Sequence, residues 1–349
     1  MADISSITLP GGGTYDLKDK NAVPKYGMGK NLLDNAYFVG GGSQLGDGVF
    51  PINQRGQSSY NANGSYTIDR WWLNSWNAQN IDATIDAAGI TLSQTATGPN
   101  SLYLAQKISG WQQYAGKTVT VSILVTSLSG RSRAFLFGAV DGTRYLSSVL
   151  GIGLNTFTVT LPNDITGLQV AFGHHASVGG SGAVTLTVSA AKLELGTEQT
   201  LAHQENGVWV LNEILDYGEE LAKCQRYLYP VFKGSNDFGI YPATVRSLVV
   251  NGANQGYARI QIIKPDMNRN VTPTVVNTIS SFRLIVVKLS DSSTPLVASM
   301  TCAGLLVGNP SIWINFTLSS NITPYLTGAY GFEIDTLGQT GNLFISTEP

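Results

Sequence analysis

Between residues 31 and 199, apolar and polar positions alternate in short runs separated by Gly, Asn and Ser. The clearest runs are "SLYLAQKI", "KTVTVSILVTS", "RAFLFGAV", "TFTVTLP", "LQVAFGHH" and "AVTLTVSAAKLEL". In "TVTVSILV", Val119, Val121, Ile123 and Val125 share one face by period two, while Thr118, Thr120 and Ser122 face the other way. No long helical period interrupts the series. Many strands broken by turn residues predict a β-sandwich or jelly roll. The same alternation returns over 230–349 in "ATVRSLVVNG", "GYARIQII", "TPTVVNTI", "FRLIVVKL", "SIWINFTL", "YGFEID" and "NLFIST", which predicts a second, smaller sandwich.

Two stretches differ. At residues 1–30, "ISSITL" and "TYDLKD" flank "PGGG", the pattern of a small hairpin with glycines in the turn. Such a hairpin buries too little surface to stand alone, so it reads as a docking element followed by the linker "KNAVPKYGMGK". Over 208–229 the period switches: Leu211, Ile214, Gly218, Leu221, Gln225 and Leu228 alternate spacings of three and four, a short heptad seam. Asn212 would cap that helix, Glu213 and Asp216 would sit in its first turn, Lys223 and Arg226 near its end, and Pro230 would stop it. Two readings stand. The helix packs on its own domain, or Leu211, Ile214, Leu221 and Leu228 meet copies of the chain at a subunit interface around a threefold axis.

Composition sharpens this picture in one respect. Charged residues are 13% of the 349, about half the usual ~25%, and Gly, Ser, Thr, Asn and Gln fill the deficit. A surface of hydroxyls and amides suits neutral polar partners such as sugars, or a surface partly covered by other subunits; it is also what any turn-rich β-protein shows. A net charge of −2 gives no electrostatic footprint for nucleic acid or anionic lipid. Cys224 and Cys302 are too few for a disulfide framework and fit a reducing cytosol, although one bridge stays open. The opening "MADISSITLPGGG" has neither a basic nor an apolar region and does not read as a secretory signal. No apolar run reaches the ~20 residues of a membrane span.

Catalytic signatures are absent from the sequence: no Gly-x-Ser-x-Gly elbow, no His-Glu-x-x-His and no P-loop. His174 and His175 are adjacent, so on a strand they point to opposite faces and do not make one metal site. Asp69, Asp82, Asp86 and Asp141 show no spacing that marks a glycosidase pair. Neither cofactor nor metal is expected, and the chain is expected not to be an enzyme.

The stretch "INQRGQSSYNANGSYTIDRWWLNSWN" concentrates three of the six tryptophans. If 68–76 is a strand, Trp71, Leu73 and Ser75 face inward, and Trp72, Asn74 and Trp76 face outward. Two indoles flanking an amide match a pyranose, whose C–H bonds stack on a flat ring while its hydroxyls bond to amides. The rival reading buries that outer face under a loop or a neighbouring subunit. Arg70, beside Asp69, reads as an ion pair or a brace on a loop.

Several motifs carry a family resemblance. "NLLDNAYF" (31–38), "NQRG" (53–56) and "YTIDRW" (66–71) resemble the opening of the carbohydrate-binding-module-like jelly roll of bacteriophage and prophage tail-fibre and receptor-binding proteins. "LAQKI", "GKTVTVSILV" and the closing "AAKLELGTEQT" continue the likeness, and "ELAKCQRYLYP" is similar to the helix that follows that domain. "ARIQIIKPDMNRNVTPTVV" resembles the strand and proline turn of the C-terminal domain, departing from it at Asp266 and Asn268. "ITLPGGGTYDLKD" is similar to tail-attachment peptides.

The resemblance implies a trimeric, non-enzymatic virion tail component, assembled in the bacterial cytoplasm. It would be fixed to the tail or baseplate by its N-terminus and would touch host surface polysaccharide with its β domains. A tail-associated glycan depolymerase and a purely structural baseplate protein are the alternatives. The expected architecture is thus mainly β: an attachment peptide and linker (1–30), a jelly roll (31–199), a linker and helix (200–229) and a C-terminal β-sandwich (230–349).

Overall fold

A computed structural model describes residues 6–8, 14–16, 29–39, 50–95, 100–138, 144–147, 149–174, 183–233, 245–251, 257–263, 274–277, 282–288, 296–307, 311–319, 330–335 and 342–346. The chain forms two units. The first comprises Met1–Gly42, Ser58–Ser65 and Trp71–Ile214; the second comprises Ser43–Gln57, Tyr66–Arg70 and Leu215–Pro349.

In the first unit the expected N-terminal hairpin is an antiparallel pair, β1 (Ser6–Thr8) and β2 (Thr14–Asp16), with Ile7 opposite Tyr15. The sandwich strands are β3 (Ser59–Tyr60), β4 (Trp72–Trp76), β5 (Gln79–Asp86), β6 (Gly89–Thr95), β7 (Ser101–Lys107), β8 (Thr118–Ser129), β9 (Arg133–Gly138), β10 (Arg144–Leu146), β11 (Gly153–Thr160), β12 (Leu168–His174) and β13 (Val184–Leu195). They build two antiparallel sheets, ordered β10-β9-β12-β7-β4 and β11-β8-β13-β6-β5-β3. In β8, Val119, Val121, Ile123 and Val125 are buried as predicted, but Thr120, Ser122 and Leu124 on the opposite face are buried too.

The inner face of the five-stranded sheet carries Leu73, Leu104, Phe172 and Leu136, all without exposed surface. Trp71, Phe38 and Phe172 pack there with ring centroids 5.3–5.8 Å apart, and the Trp71 indole N–H donates to the Asn35 carbonyl at 2.9 Å. Each such side chain contributes roughly 1.5–3 kcal/mol through burial.

β13 is buried on both faces, and residues 31–38 run beside its C-terminal half as an added edge. Leu32 N–H donates to Leu193 O, Phe38 N–H to Ser189 O and Ala191 N–H to Ala36 O. Asn31 fixes this run: its Oδ1 accepts from Leu33 and Leu193 N–H, and its Nδ2 donates to Ala191 O. Lys192 and Glu194 are buried there with Thr200 as their shared partner, Lys192 Nζ donating to Thr200 Oγ1 at 2.9 Å and Thr200 N–H to Glu194 at 2.7 Å.

The predicted helix over 208–229 is corrected. The chain instead forms a hairpin, β14 (Ala202–Glu205) with β15 (Val208–Leu211), and a nine-residue helix, α1 (Tyr217–Gln225). Leu211 ends β15, Ile214 lies in the connecting stretch and is almost wholly exposed, and Leu228 opens the next strand and is buried. Of the four residues expected at the interface only Leu221 is helical; the part of the seam that α1 carries is Gly218, Leu221 and Gln225. The physical cause is Asn206-Gly207, whose φ values of 52° and 81° close a two-residue turn between the strands. The cap is Asp216, whose carboxylate accepts Glu219 N–H at 2.9 Å, and not Asn212, whose Nδ2 donates to Thr200 O.

In the second unit, β16 (Leu228–Lys233), β24 (Asn342–Ser346) and β19 (Thr274–Asn277) make a three-stranded sheet in that order. β17 (Val245–Asn251), β18 (Tyr257–Ile263), β22 (Ser311–Leu318), β21 (Leu296–Val307), β20 (Phe282–Lys288) and β23 (Tyr330–Asp335) make an antiparallel six-stranded one. Period two is visible in β22, where Ile314, Phe316 and Leu318 are buried and Thr317 is exposed. The protein is therefore mainly β with one α-helix among the described residues, as the alternation predicts.

Candidate functional site

The outer face of the five-stranded sheet follows from its register. Residues paired across an antiparallel ladder point to the same side, and neighbours along a strand point to opposite sides. Leu73, Leu104 and Phe172 are inner, so Trp72, Asn74 and Trp76 of β4 are outer, as the sequence predicts. Three rows cross the face. The first runs Lys107, Gln169, Phe137; the second Trp72, Ala105, Ala171, Phe135; the third Asn74, Tyr103, Gly173, Arg133.

Ala105, Ala171 and Phe135 are fully buried and form the floor, with Trp72, Tyr103 and Phe137 packed half-exposed against it. Phe135 and Phe137 stack at 6.0 Å with 21° between planes, and Tyr103 leans on both at 6.1 and 6.3 Å. Beyond them Trp76 is 55% exposed. Gly173 adopts φ 148°, and a Cβ there would lie 2.3 Å from the Leu102 carbonyl oxygen. The glycine therefore lets β12 press against β7 beside Tyr103.

Polar groups border the aromatic ones. Asn74 and Gln169 are half-buried and Lys107 is exposed, its Nζ 6.0 Å from the Trp72 ring centroid. Arg133 Nη1 donates to Ser147 O at 2.9 Å, while its Nε and the Trp72 Nε1 are buried without hydrogen-bond partners among the described residues. Flat rings flanked by amide and cationic donors can stack on the C–H face of a sugar and bind its oxygens. The sequence singles out Trp72, Asn74 and Trp76. It passes over Tyr103, Phe137, Lys107, Gln169 and Arg133, whose period-two placement is visible in "SLYLAQK", "RAFLFG" and "LQVAFGH" but whose common face is set by strand pairing.

The other candidates take structural places. His174 is buried, with Nδ1 2.6 Å from Arg131 O; His175 lies outside the described residues. No group of three metal-ligating side chains occurs among the described residues. Cys224 and Cys302 form no disulfide. Asp69 is buried, accepts Gln54 N–H at 3.0 Å and pairs with Arg55 at 3.7 Å. Asp82 accepts from the Ser59 hydroxyl and Asp86 from Ala88 N–H; Asp141 lies outside the described residues. Arg70 holds φ 74° with its guanidinium 3.5 Å from the Tyr227 ring centroid, and Gln54 donates to Leu228 O at 2.9 Å. The motif residues Asn31, Gln54 and Asp69 thus brace backbone, while Arg70 packs on a ring.

Two groups have displaced acidities. Burial, with the Asp34 carboxylate adding to it, pushes the Tyr114 phenol upward. His203 is raised chiefly by its hydrogen bond to Glu205, then by that to Asn212. Asn212 Nδ2 is committed to Thr200 O, so its oxygen faces the ring, and both ring nitrogens of His203 meet acceptors. That arrangement selects the imidazolium.

No family model matches the chain, and no curated protein matches it. Among solved structures, a CBM4 carbohydrate-binding module is 18% identical over 37% of this chain and 88% of the module, at a TM-score of 0.26. The xylan-binding module CBM15 is 15% identical over 40% of this chain and 98% of the module, at 0.27. The enzymatically active domain of tailspike protein 4 of bacteriophage CBA120 is 10% identical over 36% of this chain and 19% of that one, at 0.26. TM-scores of this size carry no argument about what this chain does.

Proposed function

We propose that the chain is a non-catalytic tail-fibre or tail-tip protein of a phage or prophage. It would hold host surface glycan on the outer face of the five-stranded sheet during adsorption. The observation that carries the reading is the surface formed by Trp72, Trp76, Tyr103 and Phe137 with Asn74 and Gln169 among them. The sequence motifs that resemble tail proteins supply the biological setting. In that setting residues 1–30 attach to the tail or baseplate, and the protein resides in the virion after assembly in the bacterial cytoplasm.

The mechanism is adhesion by many weak contacts. One saccharide on one face stacks on Trp72 or Trp76 while Asn74 and Gln169 take its hydroxyls. Three copies in a trimer, and several fibres per particle, raise avidity by about 10²–10⁴ where geometry permits simultaneous engagement. Binding to a glycan array and to host cells tests the reading, with intact chain and with Trp72→Ala, Trp76→Ala and the double variant. Each single substitution is expected to weaken binding by about 1–3 kcal/mol, the scale of losing one stacked ring. A double variant that folds by circular dichroism and binds as well as the parent would overturn the assignment of the face.

A further inference from the structure

We infer that the glycan held on this face is acidic, carrying carboxylate or phosphate groups along its chain. The inference rests on the proposed glycan-binding role of the same face. Charge is unevenly distributed in this protein. Its net charge is −2, yet β4, β7, β9, β10 and β12 contain no Asp or Glu at all. The same strands contain Lys107, Arg133 and Arg144.

The register puts Lys107 and Arg133 at outer positions: Lys107 pairs with Gln169 and Arg133 with Gly173, each partner lying on the aromatic side. The β strands of the opposite sheet do carry acids: Asp82 and Asp86 in β5 and Glu194 in β13. The face proposed for sugar is therefore a cationic patch on a slightly acidic molecule. It departs from the neutral partner that overall composition favours.

Lys107 stands exposed where a sugar substituent would reach it. Lys107 Nζ is 6.0 Å from the centre of the Trp72 ring, so a pyranose stacked on that indole brings a ring carboxylate into ion-pair range of the ammonium. Arg133 sits half-buried in the row of Asn74 and Tyr103, with Nη1 donating to Ser147 O. Lys107 and Arg133 lie in different rows of the face, so an acidic chain on it meets one cation beside Trp72 and another beside Tyr103. Nucleic acid would also be drawn to cations, and it is separated by the test.

The test uses the full chain and a matched pair of polymers, polygalacturonate and its fully methyl-esterified form, which differ only in charge. Tryptophan fluorescence or calorimetry reads binding, with duplex DNA as a control. Polygalacturonate is expected to bind and the ester to bind markedly less. The preference should shrink as salt rises from about 0.01 M to about 1 M, where the Debye length falls from about 30 Å to about 3 Å. Lys107→Gln, an exposed change, is expected to weaken polygalacturonate binding about two- to fivefold and to narrow its preference over the ester. Arg133→Gln should act in the same direction.

Equal, salt-insensitive binding of both polymers that is lost in Trp72→Ala overturns the acidic preference and leaves the glycan site standing. So does failure of both polymers when the array yields neutral ligands only. No ligand on array, polymer or cell overturns both readings. DNA binding as tight as polygalacturonate binding, and indifferent to Trp72→Ala, marks an unspecific cationic patch and also overturns the inference.

Discussion

At the scale of single residues, the informative ones are those whose surroundings leave little choice. His203 faces Asn212 on one ring nitrogen and Glu205 on the other at 2.8 Å. Its pKa is raised from an ordinary 6.5, first by the Glu205 bond. A raised folded pKa means that the contribution to the β14–β15 hairpin is fully present below the unfolded value and fades as pH climbs through the folded one. An NMR titration of the imidazole should give a midpoint above 6.5, and Glu205→Gln should bring it back towards that value; a midpoint at or below 6.5 in the parent would contradict the geometry. Trp72, Asn74 and Trp76 were readable from sequence because they alternate within one five-residue strand. Lys107 and Arg133 were not, since nothing local assigns a lone cation to one side of a sheet.

At the scale of elements, most strands were legible, because alternation survives wherever one face meets a core. The long helix was misread because two different structures, β15 and α1, carry apolar residues whose spacing happens to continue. The contrary signal was present in Asn206-Gly207, the strongest short hairpin mark. Register is the part that no local pattern supplies: Trp72 pairs with Ala105, far along the chain, and only that pairing unites Trp72 with Phe135 and Tyr103. Gly173 is the pivot of this arrangement. Gly173→Ala would push a methyl group into the Leu102 carbonyl oxygen and force a left-handed backbone on alanine. We expect a loss of about 1–3 kcal/mol in denaturant unfolding, accompanied by weaker glycan binding. Unchanged stability would mean that β12 and β7 separate more easily than their register implies.

At the scale of the whole molecule, the proposed adhesion depends on copies acting together. The helix no longer supplies a continuous seam, so the case for a trimer rests on the likeness of the motifs to tail proteins. Light scattering of the full chain is expected to give three times 37.2 kDa, and a monomer at all concentrations would remove the multivalent part of the account.

The way the two units share the polypeptide has a further consequence. Residues 43–57 and 66–70 come before most of the sandwich in sequence but belong with Leu215–Pro349. Gln54 reaches the carbonyl of Leu228, Arg70 lies on Tyr227, and Phe50 meets Tyr217 at 5.9 Å. No one scission of the main chain can therefore part the units cleanly. A fragment stopping near residue 199 would carry a sequestered guanidinium bereft of its ring and an amide bereft of its acceptor. Transplanting the second unit between related chains would accordingly have to carry residues 43–57 and 66–70 along with Leu215–Pro349.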